Sequence, residues 1–397
     1  MFQSNRAALA GALTLVLALT GAAPGFAATD IPPATAPADA PPTPVVDPEA
    51  LALGHDLAGL IVGSEDRKAL IASKIANSPD FGALLAMNPA WQSLMIQAGG
   101  DTYDSLSQFQ IDMTGKAFAQ AIPVAQLRVG VAFFHSAQGE ELLERQRATS
   151  RGETPKPVSA ATNAEVQRLR ATPDGAGFFA ALGNSKVILA ASDEAFKRRF
   201  VVGFIQRFGE LAEDAAAKSA DPSPPTWEEL EAAQLAHMIF VETDVRGRMA
   251  KAMASEFVES DVSRPQWRDL MEQSIREAFT ADQPQLELIV GKDMAKHYTK
   301  EELAAATAFL RTAGGRAYFH KAMNTPNGKY FVVPPGSETA YRRLLAAPGG
   351  RSFLAKVQKS GSVIDPVSND LSVVFVPTVF KIFGQKAAAL ELSLNPN

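Results

Sequence analysis

An all-α fold of two similar helical-bundle lobes related by internal duplication follows from three observations. Apolar residues recur with helical spacing almost everywhere beyond residue 50. Alternating strand patterns bounded by turn dipeptides are nearly missing, and only short runs such as YFVVP (330–334) suit an extended chain. Much of the second half repeats the first at a nearly constant offset. With 397 residues, 46% of them hydrophobic and 20% charged, the chain has the composition of a packed globular protein and the length for two or three domains.

The elements read in order as follows. Residues 1–27 have the form of a Sec-type signal peptide. Arg6 supplies the positive start, AALAGALTLVLALTGAA (7–23) the apolar run, and Gly25-Phe26-Ala27 the small residues that place cleavage after Ala27. The competing reading is an uncleaved anchor, because the apolar run approaches bilayer-spanning length. No later stretch is expected to span a membrane. A periplasmic or secreted location follows, and removing the leader takes the formal charge from −5 to −6. Residues 28–49 form a Pro/Ala-rich linker whose segment TDIPPATAPADAPPTPVVDP (29–48) holds seven prolines and almost nothing that packs.

The first lobe is expected over 50–218 and the second over 227–395, joined by 219–226, where ADPSPPT carries three prolines. Thr226 with Glu229 then opens the second lobe as a capping box, and Thr299 with Glu302 repeats the device. An offset of 176 brings Pro89 onto Pro265, Trp91 onto Trp267, Met95 onto Met271, Leu127 onto Leu303 and Phe133 onto Phe309. After one slip, an offset of 175 matches Phe178 to Phe353, Phe200-Val201 to Phe375-Val376 and Phe208-Gly209 to Phe383-Gly384.

Within the lobes one short motif occurs four times: FFHSAQGEELL (133–143), LRATPDGAGFF (169–179), FLRTAGGRAYF (309–319) and LLAAPGGRSFL (344–354). Each reads as a helix end, a break and a new helix start. Ser136, Thr172 and Thr312 are placed to cap the second helix, and Pro173 and Pro348 suit its first position. Glycine in a first turn lowers helix propensity by up to ~1 kcal/mol relative to alanine, so Gly139, Gly175, Gly315 and Gly350 need a compensating role. Close approach of helices is the favoured role, and an anion cradled by backbone N–H groups is the alternative.

The stretch YTKEELAAATAFLRTAGGRAYFHK, preceded by VGKDMAKH, resembles the bacterial "domain of unknown function 2059" family, here in two tandem copies. The earlier stretch AIPVAQLRVGVAFFHSAQGEELLERQ is similar but has Val124-Ala125-Gln126 where the acidic pair stands before Leu303. The resemblance implies a small helical exported protein of unassigned biochemical role, and it carries over no catalytic residues.

A search for reactive constellations leaves catalytic, cofactor-binding and metal sites all without a candidate. Gly115-Lys116 and Gly291-Lys292 lack the earlier glycine and the following Ser or Thr of a phosphate loop. His55, His135, His237, His297 and His320 show no zinc-ligand spacing, and cysteine is absent, which removes thiolate chemistry and disulfides. The acid pairs Glu140-Glu141, Glu228-Glu229 and Glu301-Glu302 fall in first helical turns, where the helix dipole accounts for them. Trp91 and Trp267 belong to the repeated apolar pattern and read as core. An acidic chain with pI ≈ 5.7 is not built for nucleic acid, and Lys197-Arg198-Arg199 and Arg342-Arg343 read as solvated helix faces. Three classes stay open: a non-catalytic exported protein that binds another envelope component, an enzyme with a site between the lobes, and an apolar-ligand or lipid binder.

Overall fold

The computed structural model describes residues 46–63, 67–77, 85–86, 88–219, 223–242, 244–255, 265–324, 333–360 and 368–394. The leader, most of the first linker and Tyr330–Val332 of the candidate extended run lie outside the described residues. Among those described the chain forms sixteen helices and no strand. The fold is all-α.

Eight helices precede the proline-rich join: α1 (Pro48–Gly63), α2 (Arg67–Asn77), α3 (Trp91–Ala121), α4 (Val124–Phe134), α5 (Ala137–Ser150), α6 (Ala160–Arg170), α7 (Pro173–Gly183) and α8 (Ser185–Ser219). Eight follow it: α9 (Trp227–Glu242), α10 (Val245–Ser255), α11 (Trp267–His297), α12 (Lys300–Leu310), α13 (Ala313–Asn324), α14 (Glu338–Ala346), α15 (Gly350–Ser360) and α16 (Ser368–Leu394). The two series keep the same order of lengths. α1 and α9 have 16 residues each, α2 and α10 have 11, α3 and α11 have 31, and α4 and α12 have 11.

Compactness groups the described residues into two units, one falling within Val16–Ser78 and Met95–Phe204 and the other within Pro79–Leu94 and Ile205–Asn397. In the first, α1 packs on α4, α4 on α7, and α6 on α7. Its core gathers Leu57, Phe118, Leu127 and Phe178, all fully buried. α1 and α3 meet so closely that a Cβ on Gly115 would lie 2.8 Å from the Cα of His55.

In the second unit α11 is the central helix, with α9, α10 and α16 against it, while α12 packs on α9, α13, α14 and α15. Here a Cβ on Gly291 would lie 2.6 Å from the backbone nitrogen of Ala233. Trp91 meets Phe208 edge-on at 5.6 Å, and Trp267 meets Phe383 edge-on at 5.9 Å. A glycine follows each phenylalanine, and the two glycines mark one crossing of α8 and α16. A Cβ on Gly209 would lie 2.4 Å from the Lys381 nitrogen, and one on Gly384 would lie 2.6 Å from the Gln206 Cα.

The fourfold motif is a tight corner between consecutive helices. In three copies a hydroxyl spans the break: the Thr312 Oγ1 donates to the Phe309 carbonyl at 2.7 Å and accepts the Gly315 N–H at 2.9 Å. Ser136 and Thr172 do the same between Phe133 and Gly139 and between Leu169 and Gly175. In all four a Cβ on the glycine would come within 2.2 Å of the carbonyl oxygen six residues earlier. The close neighbour is therefore the end of the preceding helix. Pro173 takes the first helical position as expected. Pro348 does not: Gly349 turns the chain at φ +78° and α15 starts one residue later, a substitute for the hydroxyl that Ala347 lacks.

One further expectation needs correction. Asp370–Leu394 in α16 is long and apolar enough to cross a membrane by length and composition. Half of its most apolar stretch is buried inside the chain.

Candidate functional site

α9 buries one side through Ala232, Leu235, Ala236, Ile239 and Phe240. Its other side is not polar. Trp227 is 65% exposed, Val241 59% and Leu230 42%, and with Gln234 they lie at i, i+3, i+7 and i+14 along one stripe. The chain supplies its own control for this pattern. An offset of 178 places the buried Gly54, Leu57, Ala58 and Val62 of α1 on Ala232, Leu235, Ala236 and Phe240 of α9. That register sets Trp227, Leu230, Gln234 and Val241 against Glu49, Ala52, Asp56 and Gly63. On this register α1 exposes small and acidic residues where α9 exposes Trp, Leu and Val. Helix formation and core packing do not require the apolar set.

The α1 face is tied down. Arg128 of α4 pairs with Glu49 at 2.5 Å, and the His135 Nε2 lies 3.0 Å from Asp56. The residues that correspond to Arg128 and His135 are Ala304 of α12 and Arg311 just after it, so the pairing is not repeated. Sequence comparison at offset 176 begins at Pro89 and misses this contrast. The two-residue shift needed to align α1 with α9 hides it.

Two buried polar clusters lie elsewhere in the unit that holds α9. Glu302, 2% exposed, is the capping-box acid of α12, and it also accepts from Ser352 at 2.5 Å and from Lys356 at 2.7 Å, both on α15. Burial works against its charge, but the bonds from Lys356, Ser352 and the Thr299 N–H outweigh burial and hold the carboxyl below the usual range. The helix dipole alone thus does not account for Glu302. Nearby Tyr298 is pushed up to about 12 by burial and by Glu302 and Asp293. The second cluster surrounds Asp282 of α11, whose Oδ2 is buried without a hydrogen-bond partner. Burial, opposed by a Thr378 hydrogen bond and reinforced by Glu213, raises this carboxyl to about 6. Lys381 pairs with Glu213 at 2.6 Å beside it. The open cleft of ≈ 540 Å³ beside Arg246, Arg276 and Thr280 is lined by neither acid.

The remaining candidates have structural partners. Gly115-Lys116 and Gly291-Lys292 lie inside α3 and α11. The N–H groups of Gly139, Gly175 and Gly315 are taken by the corner hydroxyls, and that of Gly350 by the Ala347 carbonyl at 3.1 Å. His237 bonds Glu287 at 2.7 Å, and the His297 Nδ1 donates to the Asp293 carbonyl at 2.9 Å. Glu141 ties α5 to the start of α6 by accepting the Ser159 N–H at 2.6 Å. Arg199 is not a solvated face residue, since its guanidinium stacks 4.0 Å from the centre of the Phe109 ring. Trp91 and Trp267 are core, 2% and 1% exposed. No protein-family model, curated protein or solved structure matches the chain.

Proposed function

We propose that this is an exported, non-catalytic helical protein, built by internal duplication, that binds another component of the cell envelope through the exposed side of α9. The exposed apolar stripe Trp227, Leu230 and Val241 carries the reading, and the small and acidic residues at the matching positions of α1 support it. Duplication is supported by the matched order and lengths of the helices, the recurrent corners and the paired Trp–Phe contacts. Export is supported by Arg6, the apolar run 7–23 and Gly25-Phe26-Ala27. The resemblance to the "domain of unknown function 2059" family is consistent with both.

Cell fractionation and N-terminal sequencing test export, with a mature chain starting at Ala28 as the expected result. Binding is tested with a photo-crosslinking residue at position 230 and, as control, at Lys251, which is also exposed. Envelope adducts at 230 that are absent at 251 and lost on Trp227→Ala support the face. Equal adducts at both positions, or none, would reject it.

A further inference from the structure

The exposed stripe has the spacing of a seam between two helices. Positions i, i+7 and i+14 hold Trp227, Gln234 and Val241, and i+3 holds Leu230, so one side of α9 repeats every seven residues. The stripe is ~21 Å long at 1.5 Å per residue, enough to seat four turns of a partner helix. α12, which packs on α9, exposes Ala304 and Ala308, whose small side chains leave room for an approaching backbone. Gln234 in the middle of the stripe suits a register-setting polar contact.

Charge narrows the partner. Glu228 and Glu231 border the Trp227 end, and among the described residues neither forms an ion pair within the chain, whereas Glu242 is held by Arg316 at 3.3 Å. In the first half the acids on this side of the helix are answered by Arg128 and His135. An acidic border also disfavours an anionic bilayer as the occupant.

We infer that the α9 face seats an amphipathic helix of a partner protein whose apolar stripe is bordered by basic residues. This rests on the docking reading above and adds the partner's form and charge to it.

The mature full-length chain carries its own probe. Trp227 is 65% exposed while Trp91 and Trp267 are 2% and 1% exposed, so a collisional quencher acts on Trp227. The ligands are two synthetic helical peptides with leucine at heptad positions, bordered by lysine in one and by glutamate in the other, and phosphatidylglycerol vesicles. The lysine-bordered peptide is expected to shield Trp227 from the quencher. Leu230→Ala with Val241→Ala should weaken it ~10-fold or more, and Glu228→Lys with Glu231→Lys should shift preference to the glutamate-bordered peptide. Thermal unfolding of the Leu230 and Val241 variant should match the parent, because both side chains are on the surface, whereas the Glu228 and Glu231 variant should unfold slightly earlier, because Glu228 lies in the first turn of α9, where the helix dipole favours an acid. Lysine-peptide binding that ignores the Leu230 and Val241 changes, or shielding by vesicles but by neither peptide, would overturn the inference. If position 230 crosslinks to an envelope protein while the lysine peptide fails to bind, the docking reading stands and this inference falls. If position 230 yields no adduct, the docking reading falls first.

Discussion

The packing of α4 on α7 and the packing of α12 on α15 use one backbone plan with different chemistry. In the first half Gln126 lies over Gly177, where a Cβ would come within 2.3 Å of its amide nitrogen. At the corresponding positions Glu302 accepts from Ser352, and Lys356 stands where the first half has Ala181. The contrast recurs on the long helices: Leu106, Gly203 and Gln206 correspond to Asp282, Thr378 and Lys381. Corners, glycine contacts and aromatic pairs are common to both halves, so they are what the fold requires. Among the described residues the fully buried charged side chains, Glu302 and Glu391, both lie in the second half, so they are an addition that the fold tolerates.

The largest test of the common part is the tryptophan pair. Trp91→Ala and Trp267→Ala each remove a buried ring packed edge-on against a phenylalanine, and each should destabilise by ~3–5 kcal/mol in denaturant unfolding. Similar losses sharpen the correspondence. A tolerated change on one side would break it.

Next in size is the charged contact of α12 with α15. Glu302→Ala leaves the Lys356 ammonium and Ser352 hydroxyl without their carboxylate and should lower stability by ~2–3 kcal/mol, since Lys356 is partly solvated. Gln126→Ala should lower it by less than ~1 kcal/mol. Installing the first half's set, Glu302→Gln with Ser352→Gly and Lys356→Ala, should restore most of the loss, because a matched neutral group replaces a stranded charge. If the triple variant is no better than Glu302→Ala, the two contacts are not interchangeable.

The corner glycines give a smaller effect. Gly139→Ala and Gly315→Ala each drive a Cβ into the preceding helix's last carbonyls and should lower stability by ~1–3 kcal/mol. Gly59→Ala, with open space around it on α1, should be neutral or stabilising by ~0.5 kcal/mol. Thermal midpoints that do not separate Gly59 from the corners would remove the packing role.

Helix content, the four corners, three of their hydroxyl caps and both tryptophan cores were legible in the sequence, because each depends on residues within a few positions of one another or on a register without gaps. What stayed hidden depends on distant pairing. Gly315 looked like a close-approach residue, but which helix it approached emerged only with the Phe309 carbonyl in place. Glu302 read as a capping acid because Thr299 is three residues away, whereas Lys356 is 54 residues away. The α9 face was missed for the same reason: an exposed tryptophan and a buried one look alike in a string of letters until the matching helix supplies Glu49.

The two halves should also differ in their response to pH. Asp282 has its ordinary value of 3.8 raised to about 6 by burial, so between those values the folded chain holds a proton that the unfolded chain has released. Its stabilising contribution is complete below pH ~4 and is lost as pH rises through 6. A shift of that size corresponds to ~3 kcal/mol for an enclosed group. Water still reaches Asp282, and screening leaves ~1 kcal/mol. Among charged groups on the packed helices, Lys381 and Glu213 act on it, while Lys386 is held by Glu277 and His237 by Glu287. Glu302 has the opposite sign: held below the usual range, it contributes above the ordinary carboxylate value and that contribution is lost as pH falls. Asp282→Asn should therefore raise stability at pH 7 by ~1 kcal/mol and flatten the decline between pH ~4 and ~6. Glu302→Gln should weaken the acid-side loss instead. Leu106 and Gln126 give the first half no counterpart to either effect. Urea unfolding at pH 4.5, 5.5 and 7 resolves the three cases, and an Asp282→Asn profile parallel to the parent's would show that the buried carboxyl is ionised throughout.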